Sequence, residues 1–203
     1  MRILNLYAGI GGNRKLWGDE HEITAVEREP KIAAIYQDFF PKDKTVVADA
    51  HQYLLDHFKE FDFIWSSPPC PTHSRARFWG YGKKNPVYPD MILYQEIILL
   101  KHHAENKWVV ENVNAYYEPL YPPQKLGRHY YWSNFAIGQP NFKPKAKMIK
   151  EATNTERQEM TGFNLDKYNG INKMVILRNC VEPELGLHIL KESQRDIQGE
   201  LFR

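Results

Sequence analysis

Short apolar runs alternate with amphipathic stretches through the first half of the chain, which is the rhythm of a parallel sheet wrapped by helices. Ile3 to Tyr7 predicts a first strand, closed by the turn Gly9-Ile-Gly-Gly12 and then a helix. His21 to Val26 predicts a second strand ending at Glu27. Pro30 suits the first turn of the next helix, through Phe40, because the N–H it lacks is one that a helix start leaves unpaired. Lys44 to Ala48 predicts a third strand ending at Asp49, followed by a helix from Ala50 to about Phe58. A fourth strand, Phe61 to Trp65, stops at Ser66-Ser-Pro-Pro-Cys-Pro71. A helix from about Pro89 to Glu105 leads to a fifth strand, Trp108 to Val110, which ends at Glu111-Asn-Val113. Three strands thus deliver a carboxylate to their C-terminal ends and a fourth delivers a thiol. Open α/β sheets bind ligands at that edge, so the pattern is a site prediction.

Beyond Val113 the texture changes. Pro119, Pro122 and Pro123 mark an extended passage, and His129 to Phe135 suits a hairpin arm. Phe142 to Lys150 has almost no apolar periodicity and carries Lys143, Lys145, Lys147 and Lys150, the texture of a solvated loop. Thr155 is expected to cap a short helix that stops at Gly162, and Pro183 to about Arg195 predicts the final helix.

A length of 203 residues is that of one domain. Hydrophobic residues at 42% and charged residues at 26% exclude a disordered or collagen-like chain. Lysine and arginine (27) nearly cancel aspartate and glutamate (25), so a strongly basic whole-chain signature for polyanions is absent and any such contact must come from local clustering. Two cysteines, Cys70 and Cys180, supply neither a disulfide framework nor a four-thiolate zinc site, and they suit a reducing, cytoplasmic compartment. With His73 the single candidate ligand near Cys70, no metal is expected. No run approaches the ~18 apolar residues of a membrane helix, and the N-terminal apolar run reads as a strand, not a signal peptide.

A strand, then glycines, then a helix start lets backbone approach a ligand closely and offers unpaired N–H groups to it. Glu27, 18 residues after Gly9, suits an acid that hydrogen-bonds ribose hydroxyls. The residues alone leave a dinucleotide and another nucleoside cofactor both open, and Gly-x-Gly-Gly departs from the dinucleotide pattern. Cys70 stands among Pro68, Pro69 and Pro71, a rigid mount in a loop. Covalent catalysis needs such a mount, because the thiolate is the nucleophile and its approach must be held. A thiol beside an acid able to protonate a ring nitrogen, Glu111, is the equipment for activating a pyrimidine.

These residues together resemble the DNA (cytosine-5) methyltransferase family. Leu6-Tyr-Ala-Gly-Ile-Gly-Gly12 resembles its cofactor motif, with Asn5 where the family usually has Asp. Pro69-Cys-Pro71 with Ser74 resembles the catalytic loop, Glu111-Asn-Val113 the family's Glu-Asn-Val, and Asn179-Cys-Val-Glu-Pro183 its final motif. Glu156-Arg-Gln-Glu-Met-Thr-Gly-Phe163 is similar to the helix ahead of that motif. The resemblance implies a Rossmann-like fold, mostly parallel with helices on both faces, and S-adenosylmethionine as cofactor. It implies cofactor contacts from Tyr7, Ala8, Gly9, Gly11, Gly12, Glu27, Arg28, Asp49, Ala50, Pro69, Asn179 and Cys180. It also implies that a flipped-out cytosine is attacked at C6 by Cys70 while Glu111 contacts N3. Of the family's usual Arg-x-Arg pair on the arm strand, Arg128 is matched and His129-Tyr130 follows it.

The implied organisation is a catalytic core at 1–135, a lysine-rich insert at 136–151 in place of a target-recognition region, and a segment at 152–203 returning to the core. Ser74, Arg75, Arg77, Lys143, Lys145 and Lys147 are the expected nucleic-acid contacts. Phosphate contacts of this kind position a protein without reading sequence. The expectation is therefore duplex DNA as substrate, with relaxed sequence preference or a specificity-conferring partner protein. Three other readings stay open: the same chemistry on RNA or single strands, a catalytically silent subunit that keeps the fold, and a dinucleotide oxidoreductase.

Overall fold

The computed structural model describes residues 1–80, 85–142 and 152–195. Among the described residues, seven strands form one sheet in the order β3-β2-β1-β4-β5-β7-β6. The strands are β1 (Arg2–Leu6), β2 (Glu22–Glu27), β3 (Lys44–Val47), β4 (Phe63–Ser66), β5 (Lys107–Val113), β6 (Gln124–Leu126) and β7 (His129–Ser133). The first five are mutually parallel, while β7 runs antiparallel to both β5 and β6.

Alternation along the strands sorts side chains to two faces. Leu4, Ile64 and Val110 join Leu54 of α2 (Ala50–His57) and Leu93, Ile97 and Leu100 of α3 (Ile92–His103) on one face. Ile3, Phe63, Trp65 and Val109 meet Trp17, Tyr131 and the apolar face of α6 (Pro183–Ser193) on the other. A third cluster packs Ile35, Tyr36 and Phe40, around α1 (Pro30–Phe39), against Phe163, Leu165 and Leu177. Leu177 lies on α5 (Lys173–Asn179).

Most expected elements are present, with differences that have local causes. The helix expected after the glycine turn is a single 3-10 turn at Asn13–Leu16. Its place on the sheet face is taken by α6, whose Gly186 lies so close that an added Cβ would meet the Asn13 carbonyl oxygen at 2.3 Å. Pro30 does open α1, and Asp49 is the N-cap of α2. The third helix starts at Ile92, not near Pro89, because the Asp90 carboxylate accepts the Ile92 N–H. β5 runs on through Glu111 to Val113 because β7 pairs with it along that stretch. In α4 (Asn154–Thr161) the cap is Thr153, not Thr155: Thr153 and Glu156 form a reciprocal capping box, and Gly162 closes the helix at φ 69°. The short α5 has no counterpart in the sequence expectation.

Gly186 supplies a stability test. Glycine inside a helix ordinarily costs about 1 kcal/mol relative to alanine, so Gly186→Ala at an open position would stabilise. Against the Asn13 backbone it is expected to lower stability by about 1–3 kcal/mol, read as a lower urea midpoint at unchanged slope. A raised midpoint would show that α6 does not sit on the 13–16 turn.

Candidate active site

The order β2-β1-β4-β5 places the four strand ends of interest side by side. With strands about 4.8 Å apart, Glu27, the glycine turn, the Cys70 loop and Glu111 form a row roughly 15 Å long.

At the β1 end, Tyr7, Gly9 and Gly11 all take positive φ (54°, 56° and 84°), which curls the chain away from the strand. The Gly9 N–H donates to Glu27 Oε2 at 2.9 Å, and Glu27 Oε1 accepts from the Glu29 N–H at 2.9 Å. A carboxylate offers about four lone-pair sites, so Glu27 retains capacity toward hydroxyl donors while bracing the turn. A Cβ at Gly9 would meet nothing within 4 Å, whereas at Gly11 it would strike Phe40 and Tyr36, and at Gly12 the Val181 backbone and Cys180. The turn is thus open on its Gly9 side and closed underneath. Asp49 and Arg28 are exposed at the ends of β3 and β2, Ala50 is buried at the start of α2, and Ala8 is buried behind the turn.

Asn5 and Asn13 hold each other, with Asn13 Nδ2 donating to Asn5 Oδ1 at 2.8 Å. This buried amide pair occupies the position of the Asn5 departure. Cys180 packs beneath Gly12, its Sγ 3.5 Å from the Ile176 carbonyl oxygen, and burial pushes its thiol up to about 12. That is the setting of an inert packing thiol. Asn179, the last residue of α5, is exposed.

The Cys70 loop is fixed at both ends. Asn112 Nδ2 donates to the Pro68 carbonyl at 2.9 Å, and the Cys70 carbonyl accepts from the N–H groups of His73 and Ser74. Pro69 is exposed, and the thiol is half-buried. Burial first, and the Glu111 carboxylate second, push the Cys70 thiol up, while Arg178 pulls it down. Glu111, 8% exposed, pairs across the sheet with Tyr131, and its Oε1 lies 3.6 Å from His129 Nε2. Burial holds His129 below its ordinary range, so at neutral pH it meets Glu111 as a neutral ring. Arg128, before β7, is lowered by burial and supported by Glu182 and Glu111. Glu111 thus lies within electrostatic reach of Cys70 and of Arg128, with His129 beside it.

Of the expected nucleic-acid contacts, Ser74 accepts the Ala76 N–H, Arg75 Nε donates to the Ala115 carbonyl and Arg77 to the Asn85 carbonyl. Lys143, Lys145, Lys147 and Lys150 lie outside the described residues.

Two groups escaped the sequence reading. Glu96 is fully buried and gathers Tyr7 Oη (2.6 Å), Ser66 Oγ (2.5 Å) and His51 Nδ1 (3.1 Å), joining the ends of β1, β4 and α2. Its signal was a charge lying on the apolar stripe Leu93, Ile97, Leu100. The other is Arg14, buried against Asp43 and without any periodic cue. Among the described residues no cluster of three or more His, Cys, Asp or Glu side chains is placed to hold a metal, and no helix is long and apolar enough to cross a membrane.

The mostly parallel sheet with its antiparallel β7, and the open edge built on β1, β2 and β4, form a Rossmann-like fold of the kind seen in methyltransferase structures. Residues 1–119 match the C-5 cytosine-specific DNA methylase family, and the chain belongs to it. The fold is similar to that of the methyltransferase EhMeth from Entamoeba histolytica, at TM-score 0.61 and 12% identity, covering 95% of this chain and 97% of that one. A DNMT2 structure from Spodoptera frugiperda shares 26% identity over 55% of this chain and 35% of its own, at TM-score 0.38. No curated protein matches the sequence significantly. The family's cofactor is S-adenosylmethionine. The open side of Gly9 beside Glu27 is a cradle of the kind a nucleoside cofactor needs, with carboxylates for hydroxyl and amino groups.

Proposed function

We propose that the chain is a DNA cytosine C5 methyltransferase acting through a covalent bond between Cys70 and C6 of a flipped-out cytosine. The carrying observation is the thiol and the Glu111 carboxylate on adjoining strand ends, near enough for one to shift the other.

Glu27, Arg28, Asp49, Ala50 and the turn Tyr7 to Gly12 hold S-adenosylmethionine, with Pro69, Asn179 and Cys180 at its borders. Bound there, the cofactor supplies an electrophilic methyl group. Cys70 yields its proton to solvent water and the thiolate sulfur bonds to C6; the C5–C6 electron pair becomes available at C5, while Glu111, protonated from solvent as the base docks, donates to N3 and absorbs the charge. After methylation, solvent water takes the C5 proton, the C5–C6 double bond re-forms, the Cys70 thiolate is expelled and N3 returns its proton to Glu111. Arg128 steadies the Glu111 end of the site. Ser74, Arg75, Arg77 and the lysines of the 136–151 insert meet phosphate, between a core at 1–135 and the returning segment at 152–203. So short an insert favours relaxed sequence preference or a partner protein that confers it.

DNA carrying 5-fluorocytosine tests the chemistry, because C5 then has no proton to lose. The wild type with cofactor is expected to form a denaturant-stable adduct, and Cys70→Ser none. No adduct on duplex, single-stranded or RNA substrates, despite bound cofactor, would remove the catalytic reading. An adduct on RNA or single strands alone would move the substrate.

A further inference from the structure

Beside the catalytic loop lies a cleft of about 550 Å³, lined by Arg75, Tyr116, Tyr117, Glu118, Pro119 and Tyr130, a volume within the range of small-molecule sites. None of these tyrosines has a part in the chemistry above. We infer that this cleft receives a nucleobase neighbouring the target cytosine, splayed from its stack and held between tyrosine rings. The inference rests on the proposed nucleic-acid methyltransferase function and adds the state of the substrate: unpaired next to the target.

The cleft and the nucleophile loop are one mechanical unit. Ser74 bridges to Ala115, the Tyr116 N–H donates to the His73 carbonyl, and Arg75 Nε reaches the Ala115 carbonyl. His73, 1% exposed, fixes the Tyr117 ring through a 2.6 Å contact between Nδ1 and the Tyr117 hydroxyl, which also meets Tyr94. Tyr116 stands edge-on to that fixed ring, centroids 5.1 Å apart at 86°. On the far wall Tyr130 pairs with Asn112, the residue after Glu111, and packs against Trp132. The walls are thus aromatic faces tied on one side to the loop that carries Cys70 and on the other to Asn112, the neighbour of Glu111.

The lining chemistry selects the ligand class. Aromatic faces stack on any base, and such stacking is sequence-tolerant. Arg75 at the rim suits the adjoining phosphate. Glu118 would repel a phosphate but accepts from an exocyclic amino group, which an array of basic side chains would not do. A base enters only with its faces exposed, so the site favours a substrate whose neighbour to the target is mismatched, bulged or single-stranded. This chain carries little sequence between β7 and α4 for groove readout, and a stacking pocket needs none.

Oligonucleotides with one abasic site at each flanking position in turn read the cleft by anisotropy binding and by single-turnover methyl transfer. In the wild type one flanking position is expected to lose about ten-fold or more when its base is removed. In Tyr116→Ala that position-specific penalty should largely vanish, and in Tyr116→Phe it should persist, since stacking needs the ring and not the hydroxyl. A mismatch at that position should strengthen the wild type and leave Tyr116→Ala unmoved. S-adenosylhomocysteine binding and 5-fluorocytosine adduct formation at saturating substrate keep loss of fold apart from loss of the cleft. The binding arm stands even for a chain that transfers no methyl group. Abasic penalties equal in wild type and Tyr116→Ala at every position would overturn the inference.

Discussion

Cys70→Ala is expected to abolish methyl transfer, by about 10⁴-fold or more, while S-adenosylhomocysteine binding is kept. In the proposed mechanism the thiol is the group that bonds to C6, and without that bond C5 of cytosine is too weak a nucleophile for a methyl donor. The loop itself should survive, since Asn112 to Pro68 and the Cys70 carbonyl contacts use no atom of the side chain beyond Cβ. Glu111→Gln is expected to lose roughly 10²–10⁴-fold, the range of a positioned acid. Its pH dependence is more telling. Burial and the Glu111 charge both push the Cys70 thiol up, so the wild-type rate should climb with pH as thiolate forms. Removing the Glu111 charge relieves one of those causes, so the alkaline rise should move to lower pH in Glu111→Gln even as the rate falls. Single-turnover rates across pH check both. Cys70→Ala within ten-fold of wild type would exclude the covalent route.

The parts of this site visible in the sequence are those that local chemistry marks. Proline fixes φ wherever it stands, so Pro68, Pro69 and Pro71 announce a mounted thiol before any fold is known. Glycines at Gly9 and Gly11 are demanded by positive φ, and β-strand periodicity carries Glu27 and Glu111 to one sheet edge. What the sequence did not reveal depends on distant partners. Tyr7 takes a left-handed φ without being glycine, and its hydroxyl ends on Glu96, 89 residues away. His129 meets Glu111 only because β7 pairs antiparallel with β5. His73, three residues after Cys70, is buried and holds Tyr117, a partner 44 residues away. The missing helix after the glycine turn has the same origin: α6, about 170 residues later in the chain by its own bounds, fills the face that such a helix would cover. Propensity cannot report a competition with so remote a segment.

That closed underside is held by Arg14, buried beneath the glycine turn. Its guanidinium binds Asp43 through two contacts, Nε to Oδ2 at 2.9 Å and Nη2 to Oδ1 at 3.1 Å, with the Tyr36 hydroxyl donating to Oδ2 at 2.7 Å. The two charged side chains are only 4% and 2% exposed. Arg14 also lies over the Phe40 ring at 4.9 Å, and Phe40 and Tyr36 are the groups that press on Gly11. The pair therefore ties the glycine turn to the end of α1. Taking one charge from a buried pair strands the other, which costs about 3–5 kcal/mol. Arg14→Met is expected to lose that much in urea unfolding, and Asp43→Leu a similar amount. The double variant should recover most of the loss, because replacing both partners by apolar groups of similar size removes the stranded charge; Tyr36 then lacks its acceptor, which leaves a deficit of about 1 kcal/mol. A turn no longer anchored at Arg14 is also expected to bind cofactor less well. Added S-adenosylhomocysteine should therefore raise the unfolding midpoint of Arg14→Met less than that of the wild type at the same concentration. Additive losses in the double variant would mean that the two charges do not act as a pair, and an undiminished cofactor shift would separate this pair from the turn above it.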